Sequence, residues 1–351
     1  VSKFWSEAAK RCEPYVPGEQ INRTDIIKLN TNENPYPPSQ MVTKAIVEGT
    51  NRGLNLYPSP TADQLKEEIA AFNDLSKDNI FVGNGSDEIL ALAFMAFFDT
   101  NRKIKYPNIS YSFYPVYAKL FNIQAELVPL NDDFTIPIEN FFHSEGGVIF
   151  PNPNAPTSIY LGIEAVKEIL ENNPNQVVIV DEAYIDFASD SAVSLVDSYE
   201  NLLVIQTMSK SRSLAGLRVG FALGQPELIE GLTRIKDSFN SYTLDRLAIT
   251  GAIAAVKDVT YFNETREKII QTREWTITEM KRRGFSVLPS QANFIFTTHP
   301  EQNASQLYTT LKEKGILVRH FKQKSVEDYI RITIGTDEQM KEFFKVLDVI
   351  I

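Results

Sequence analysis

A chain of 351 residues, 43% hydrophobic and 23% charged, has an ordinary globular composition and is long enough for one large domain and a smaller one. Its 45 acidic residues outnumber the 35 basic ones, and the net charge of -10 argues against nucleic acid or an anionic membrane as partner. The single cysteine, Cys12, excludes an intrachain disulfide and a thiolate metal cluster, and His143, His299 and His320 lack metal-ligand spacing.

No apolar run reaches the length of a bilayer span, and Val1-Ser2-Lys3-Phe4-Trp5 lacks a signal-peptide core, so a cytoplasmic protein is expected. Residues 1 to about 35 read as an irregular arm, because Glu13-Pro14-Tyr15-Val16-Pro17-Gly18 cannot continue a helix or a central strand. The Asn- and Pro-rich stretch from Leu29 to Pro38 follows, either a plain linker or an arm that covers a substrate. Helical spacing runs from Ser39 to about Thr50 and again from Thr61 to Asn73, with Thr61 as N-cap. A short strand, Ile80-Phe81-Val82, leads through Gly83-Asn84-Gly85-Ser86-Asp87-Glu88 into an apolar helix. Glycines there let backbone N–H groups close on an anion, yet the pattern is neither a dinucleotide fingerprint nor a P-loop.

Ile104 to Leu130 reads strand, aromatic turn, helix, strand, and the turn from Pro107 to Tyr114 could offer a ring to a flat heterocycle or only to the core. Val148-Ile149-Phe150 stops at a proline loop containing Asn154. A helix over 163–172 precedes Val177–Val180, which ends in Asp181-Glu182-Ala183-Tyr184. Asp181 is either a helix N-cap or a group at the carboxyl end of a parallel strand, where α/β sheets bind ligands. Leu202–Gln206 delivers Lys210, flanked by Ser209 and Ser211 and followed by Arg218. A lysine there is either part of a solvated turn or a nucleophile that holds an aldehyde as a Schiff base, with hydroxyls and a guanidinium for a phosphate. After another strand, Val219 to Leu223, the pattern turns to long helices, including one stretch from Leu244 to about Arg283. Strands follow at Phe285–Leu288, Asn293–Phe296, Ile316–Arg319 and Tyr329–Gly335, with a helix over 304–314 among them, and Arg319 and Arg331 sit within apolar runs. The alternation predicts an α/β fold: a large, doubly wound, mostly parallel sheet domain over 36–243 and a smaller α+β domain over 244–351.

Taken together, Leu29–Pro35, Gly83–Glu88, Asn152–Thr157, Asp181–Tyr184, Ser209-Lys210, Leu214–Arg218 and Ile330–Gly335 make the chain similar to fold-type-I pyridoxal-phosphate aminotransferases. Within these it resembles the histidinol-phosphate aminotransferase family. The resemblance implies pyridoxal 5'-phosphate as cofactor, bound covalently through Lys210, which then moves the substrate proton. Asp181 would pair with the ring nitrogen, Asn154 and Tyr184 would bond the phenolic oxygen, and Tyr111 would stack on the ring. Ser86, Asp87, Ser209 and Arg218 would hold the cofactor phosphate, and Tyr57 would reach that of the neighbouring subunit in a homodimer with a shared site.

Arg331 would clamp a substrate carboxylate, Arg319 would recognise a substrate phosphate, and Tyr15 would close over it. The implied substrates are a phosphorylated amino compound and glutamate or 2-oxoglutarate; no metal is implied. Two departures stand out: Asn154-Ala155-Pro156-Thr157-Ser158, where loop flexibility would change, and Ser211-Arg212-Ser213, which would place an extra cation near the site. Threonine-phosphate decarboxylation, aromatic transamination and a catalytically silent ligand sensor are the competing readings.

Overall fold

The computed structural model describes residues 2–15, 18–19, 26–51 and 53–351. Parts of the expected N-terminal arm, residues 16–17 and 20–25, lie outside them. In chain order the elements are α1 (Glu7–Arg11), β1 (Ile27–Lys28), α2 (Gln40–Thr50), α3 (Asp63–Phe72), β2 (Ile80–Asn84), α4 (Gly85–Phe97), β3 (Ile104–Pro107), α5 (Tyr114–Phe121) and β4 (Ala125–Val128). Then come β5 (Val148–Pro151), α6 (Ile163–Glu171), β6 (Val178–Asp181), β7 (Leu202–Thr207), β8 (Val219–Gly224), α7 (Pro226–Phe239), α8 (Arg246–Lys257) and α9 (Val259–Arg282). The chain ends with β9 (Ser286–Val287), β10 (Phe294–Thr298), α10 (Ala304–Glu313), β11 (Ile316–Leu317), β12 (Arg319–His320), β13 (Ile330–Thr333) and α11 (Asp337–Ile350).

A seven-stranded sheet, ordered β2-β8-β7-β6-β5-β3-β4, is parallel except at β8, which runs against both its neighbours. Its strands β5, β6, β7 and β8 are buried along their whole length, as strands covered on both sides require. Val178, Val180, Leu202 and Val204 face one core with α2, α3, α6 and α8, while Ile179, Leu203 and Ile205 face another with α4, α5 and α7. Because β8 is reversed, its first residues lie beside the last residues of β7 and β2: Gly220 pairs with both Thr207 and Gly83, and Val219 with Asn84. The carboxyl ends of β2, β3, β5, β6 and β7 therefore share one edge with the start of β8. A third core surrounds the four-stranded sheet β12-β13-β10-β9, packed by α9, α10 and α11.

Several expectations change. The arm carries a helical turn, α1, capped by Ser6, and Arg11 donates to Lys119 O (2.5 Å) and Leu120 O (3.1 Å) at the end of α5. Thr61 does not cap α3: its hydroxyl donates to Asp63 Oδ2 (2.6 Å), and the cap position falls on Ala62. The helical stretch after Leu244 is two helices, since Asp258 ends α8 and its carboxylate accepts the Tyr261 N–H (3.2 Å) to begin α9. The strand expected over Ile316–Arg319 divides, β11 pairing with β1 and β12 with β13. The C-terminal helix α11 adds to the predicted elements; its capping box, Thr336 with Gln339, is the sequence signal for it.

Candidate active site

The shared strand edge opens into a cavity of about 300 Å³, roofed by the four-stranded sheet and the segment after β1. It gathers Ser86, Asp87, Tyr111, Asp181, Tyr184, Ser209, Lys210 and Arg218 of the large sheet's loops with Tyr15, Arg319 and Arg331. Eleven of the thirteen residues singled out from sequence thus line one space. Asn154 and Tyr57 do not.

One end suits an anion. Helix α4 begins at Gly85 and Ser86 with no side chain capping it, so its first N–H groups face the cavity edge. Gly220 lets β8 pass against that helix start: a Cβ there would lie 2.5 Å from both Gly85 C and Ser86 N. Gly85 has φ +76°, and a Cβ would strike Arg218 Nη2 at 2.5 Å. Arg218 is held at this end by Asp87 Oδ2 (3.3 Å). Asp87 Oδ1 accepts the Tyr111 hydroxyl (2.7 Å), and the Ser209 hydroxyl lies 3.0 Å from that of Thr207. Burial, reinforced by the Asp87 carboxylate, raises the Tyr111 phenol well above its ordinary value, so it stays a neutral ring and a donor.

At the floor, Asp181 is buried at the end of β6. Its Oδ2 accepts from the Tyr114 hydroxyl (2.9 Å) and its Oδ1 from the Ala183 N–H (3.3 Å). Desolvation pushes its carboxyl up to about 7, the two hydrogen bonds oppose the rise, Asp87 adds to it, and among the described residues no cation acts on it. Among the described residues Lys210 is the only lysine on the cavity wall, and its Nζ has one long bond, to Thr31 O (3.3 Å). Tyr184 receives a hydrogen bond from Asn32 Nδ2 (3.0 Å), and its ring meets Phe294 edge-on at 5.0 Å.

The far wall is cationic. Arg319 and Arg331 are register partners on β12 and β13, so both point to one face. Like charges in that relation repel unless an anion joins them. Arg331 is half-buried, donates to Asn30 O (2.9 Å), and its buried Nε has no hydrogen-bond partner among the described residues. Burial holds its guanidinium below the ordinary value, and among the described residues no carboxylate acts on it. Phe321 lies 5.7 Å from Arg319 and 5.6 Å from Arg331, and Tyr15 stacks on Phe113 at 4.4 Å.

Asn154 stands behind the wall made by Ala155 and Pro156. Both its amide protons are engaged, by Ile109 O (3.0 Å) and Thr157 Oγ1 (2.9 Å), leaving only its buried Oδ1 free. Tyr57 is 79% exposed, away from the cavity, and stacks on Tyr242 at 4.7 Å. Arg212, expected near the site, is turned away. It donates to Ala255 O (2.7 Å) and lies between Phe72 and Phe262, 4.7 and 4.1 Å from their centroids. Among the described residues no cluster suits a metal ion, and no helix is long and apolar enough to cross a membrane.

Reading residue by residue missed Tyr114, Phe321 and the strip Asn30-Thr31-Asn32. A signal existed for two of these: the aromatic turn held Tyr114, and the Asn-rich segment held the strip. Phe321 lies two residues past Arg319, a spacing that puts both on one face of an extended chain.

The sequence profile of the family described as aminotransferase class I and II matches residues 24–347. The chain is 62% identical to histidinol-phosphate aminotransferase 1 of Oceanobacillus iheyensis, covering 100% of this chain and 99% of that one. It is 55% identical to the histidinol-phosphate aminotransferase of Clostridium acetobutylicum, over 98% and 97% of the two chains. The crystal structure of histidinol-phosphate aminotransferase from Sinorhizobium meliloti in complex with pyridoxal-5'-phosphate has the same fold, with a TM-score of 0.89 at 21% identity over 100% and 99% of the chains. With a match over nearly its whole length and full-length relatives above half identity, this chain belongs to the aminotransferase class I and II family.

Proposed function

We propose that the protein is a pyridoxal-phosphate-dependent aminotransferase that exchanges an amino group between histidinol phosphate and 2-oxoglutarate, giving imidazole-acetol phosphate and glutamate. Support for the cofactor comes from the cavity's donor set. A buried carboxylate, Asp181, with no cation acting on it among the described residues, suits a protonated ring nitrogen; a nearly unbonded amine, Lys210, suits an aldehyde; and the start of α4 with Ser209 and Arg218 suits a phosphate. When bound, pyridoxal 5'-phosphate supplies a carbonyl that condenses with amines and a ring that accepts the electron pair left on the amino carbon.

Lys210 would hold the cofactor through Nζ and, when free, would be the base that moves the proton from the amino carbon. Asp181 would supply the negative charge for the ring nitrogen, with the Tyr114 hydroxyl donating to its Oδ2. Tyr111 offers its ring face, fixed in tilt by Asp87, and Tyr184 its hydroxyl. Tyr15 covers the opening.

The observation that carries the substrate assignment is the paired guanidinium wall of Arg319 and Arg331. In histidinol phosphate the amino carbon bears a phosphorylated methylene where glutamate bears its carboxylate, so the two substrates present anions to the same wall at different reach. Arg331→Lys is expected to lower kcat/KM for both substrates about 10²-fold, because one point charge replaces a bidentate fork. Arg319→Ala is expected to lower it at least about 10²-fold for histidinol phosphate and about tenfold or less for glutamate. Equal losses from Arg319→Ala would remove that residue from phosphate recognition.

The direct test of the reading is the visible spectrum of the cofactor-loaded protein after adding histidinol phosphate without an acceptor. The lysine-bound band should give way to that of the pyridoxamine form and return with 2-oxoglutarate. A band that ignores histidinol phosphate would reject the substrate, and no band at all would reject the cofactor.

We also propose a homodimer in which Tyr57 reaches the partner's cofactor phosphate, a role for which its exposure and distance from its own cavity are the support. The chain is best divided into an arm over 1–35, a large domain and a C-terminal domain, with the second boundary at Asp258 instead of 244. Leu244, Ala248 and Ala252 pack in the core of the seven-stranded sheet.

A further inference from the structure

Asn32 is 1% exposed, lines the cavity and has φ +56°, a left-handed backbone that asparagine tolerates better than most residues. Every polar group it carries is engaged. Its N–H donates to Thr333 Oγ1 (3.0 Å), its Oδ1 accepts the Thr333 hydroxyl (2.9 Å), and its carbonyl accepts from Asn293 Nδ2 (3.0 Å). That leaves Nδ2, which donates to the Tyr184 hydroxyl (3.0 Å). With Thr333 occupying Oδ1, the NH₂ group faces Tyr184.

A phenol has one proton and can accept as well as donate. A donor from Asn32 fills its accepting side and leaves the phenol's own proton to be given elsewhere. We infer that Asn32 is a positioning residue that makes Tyr184 a hydrogen-bond donor into the cavity, and that through Thr333 it holds this donor in register with β13, the strand carrying Arg331. The adjoining residues make the same span: Asn30 O accepts from Arg331 and Thr31 O from Lys210, so three consecutive residues touch the anion clamp, the lysine and the tyrosine.

This inference rests on the cofactor reading above, in which Tyr184 donates to the cofactor's phenolic oxygen. Such a donor favours the form with more negative charge on that oxygen, so it lowers the pH at which the lysine-bound chromophore loses its proton and changes colour. Asn32→Asp keeps the shape and the left-handed backbone but replaces the donor by an acceptor, which draws the Tyr184 proton away from the cavity.

The experiment is a spectral pH titration of four cofactor-loaded proteins: wild type, Asn32→Asp, Tyr184→Phe and the double variant. Asn32→Asp should raise the midpoint by about one pH unit or more, the size expected for a hydrogen bond to a charged oxygen. On the Tyr184→Phe background it should add less than about a third of that. A midpoint equal to wild type overturns the inference, and so does an equal shift on both backgrounds, which would reflect only the added carboxylate. If the wild type itself forms no chromophore, the cofactor reading fails first and this inference with it.

Discussion

Lys210→Ala should reduce transamination by about 10⁴-fold or more while leaving the fold intact. General-base proton transfer alone is worth about 10²–10⁴ in rate, and the substitution also removes the covalent anchor. No other described residue on the cavity wall can substitute, since Lys210 is the only lysine among them. Stability should change by no more than about 1 kcal/mol, because the ammonium makes a single 3.3 Å bond to Thr31 O. Steady-state turnover and a denaturant melt of the same preparation check both halves. Turnover within tenfold of wild type would take the proton-transfer role from Lys210.

Asp181→Asn is expected to separate stability from function. In the cofactor-free protein the carboxyl is pushed from an ordinary 3.8 up to about 7 by burial, with the Tyr114 and Ala183 hydrogen bonds opposing the rise. The folded state therefore binds this proton more tightly than the unfolded chain. The associated stability is fully present below about pH 4 and is lost as pH rises through 7. Glu182, also raised to about 7 by desolvation while Ser191, Ala192 and Gln206 hold it, acts in the same direction. Removing one of the two should make the cofactor-free protein more stable at pH 8 by a few kcal/mol, the gain shrinking toward zero near pH 4. The same change leaves the ring nitrogen without its counter-charge, so cofactor affinity and turnover should fall by about 10²-fold or more. Denaturant midpoints at pH 4, 6 and 8, with a cofactor titration, test it. Parallel pH profiles for variant and wild type would show that Asp181 is not the strained group.

These effects depend on groups whose legibility in the sequence differed. Asp181 and Arg218 could be found because each directly follows or precedes an apolar run, and Lys210 because it comes within a few residues of one; a charge at the end of a buried strand is costly unless it has work to do. Arg331 was visible for the same reason inside its strand. Tyr114 was not distinguished from its neighbours in a turn crowded with rings, since only the fold shows which phenol meets Asp181. Arg212, by contrast, looked like part of the site by adjacency to Lys210. Its chain position leaves two directions open, and packing between Phe72 and Phe262 selects the one away from the cavity.

By itself the sequence determined the class of fold, the strand ends that carry the chemistry, and the family, because hydrophobic period and local motifs are properties of short segments. The tertiary structure alone decided the reversal of β8, which brings Arg218 and the start of α4 to the edge where Lys210 emerges, since strand direction is set by long-range pairing. It also set Arg319 beside Arg331 and placed Asn30-Thr31-Asn32 against residues some 150 to 300 positions away. Contacts of that range leave no period in the sequence; they exist only once the cores of the two sheets have closed around the cavity.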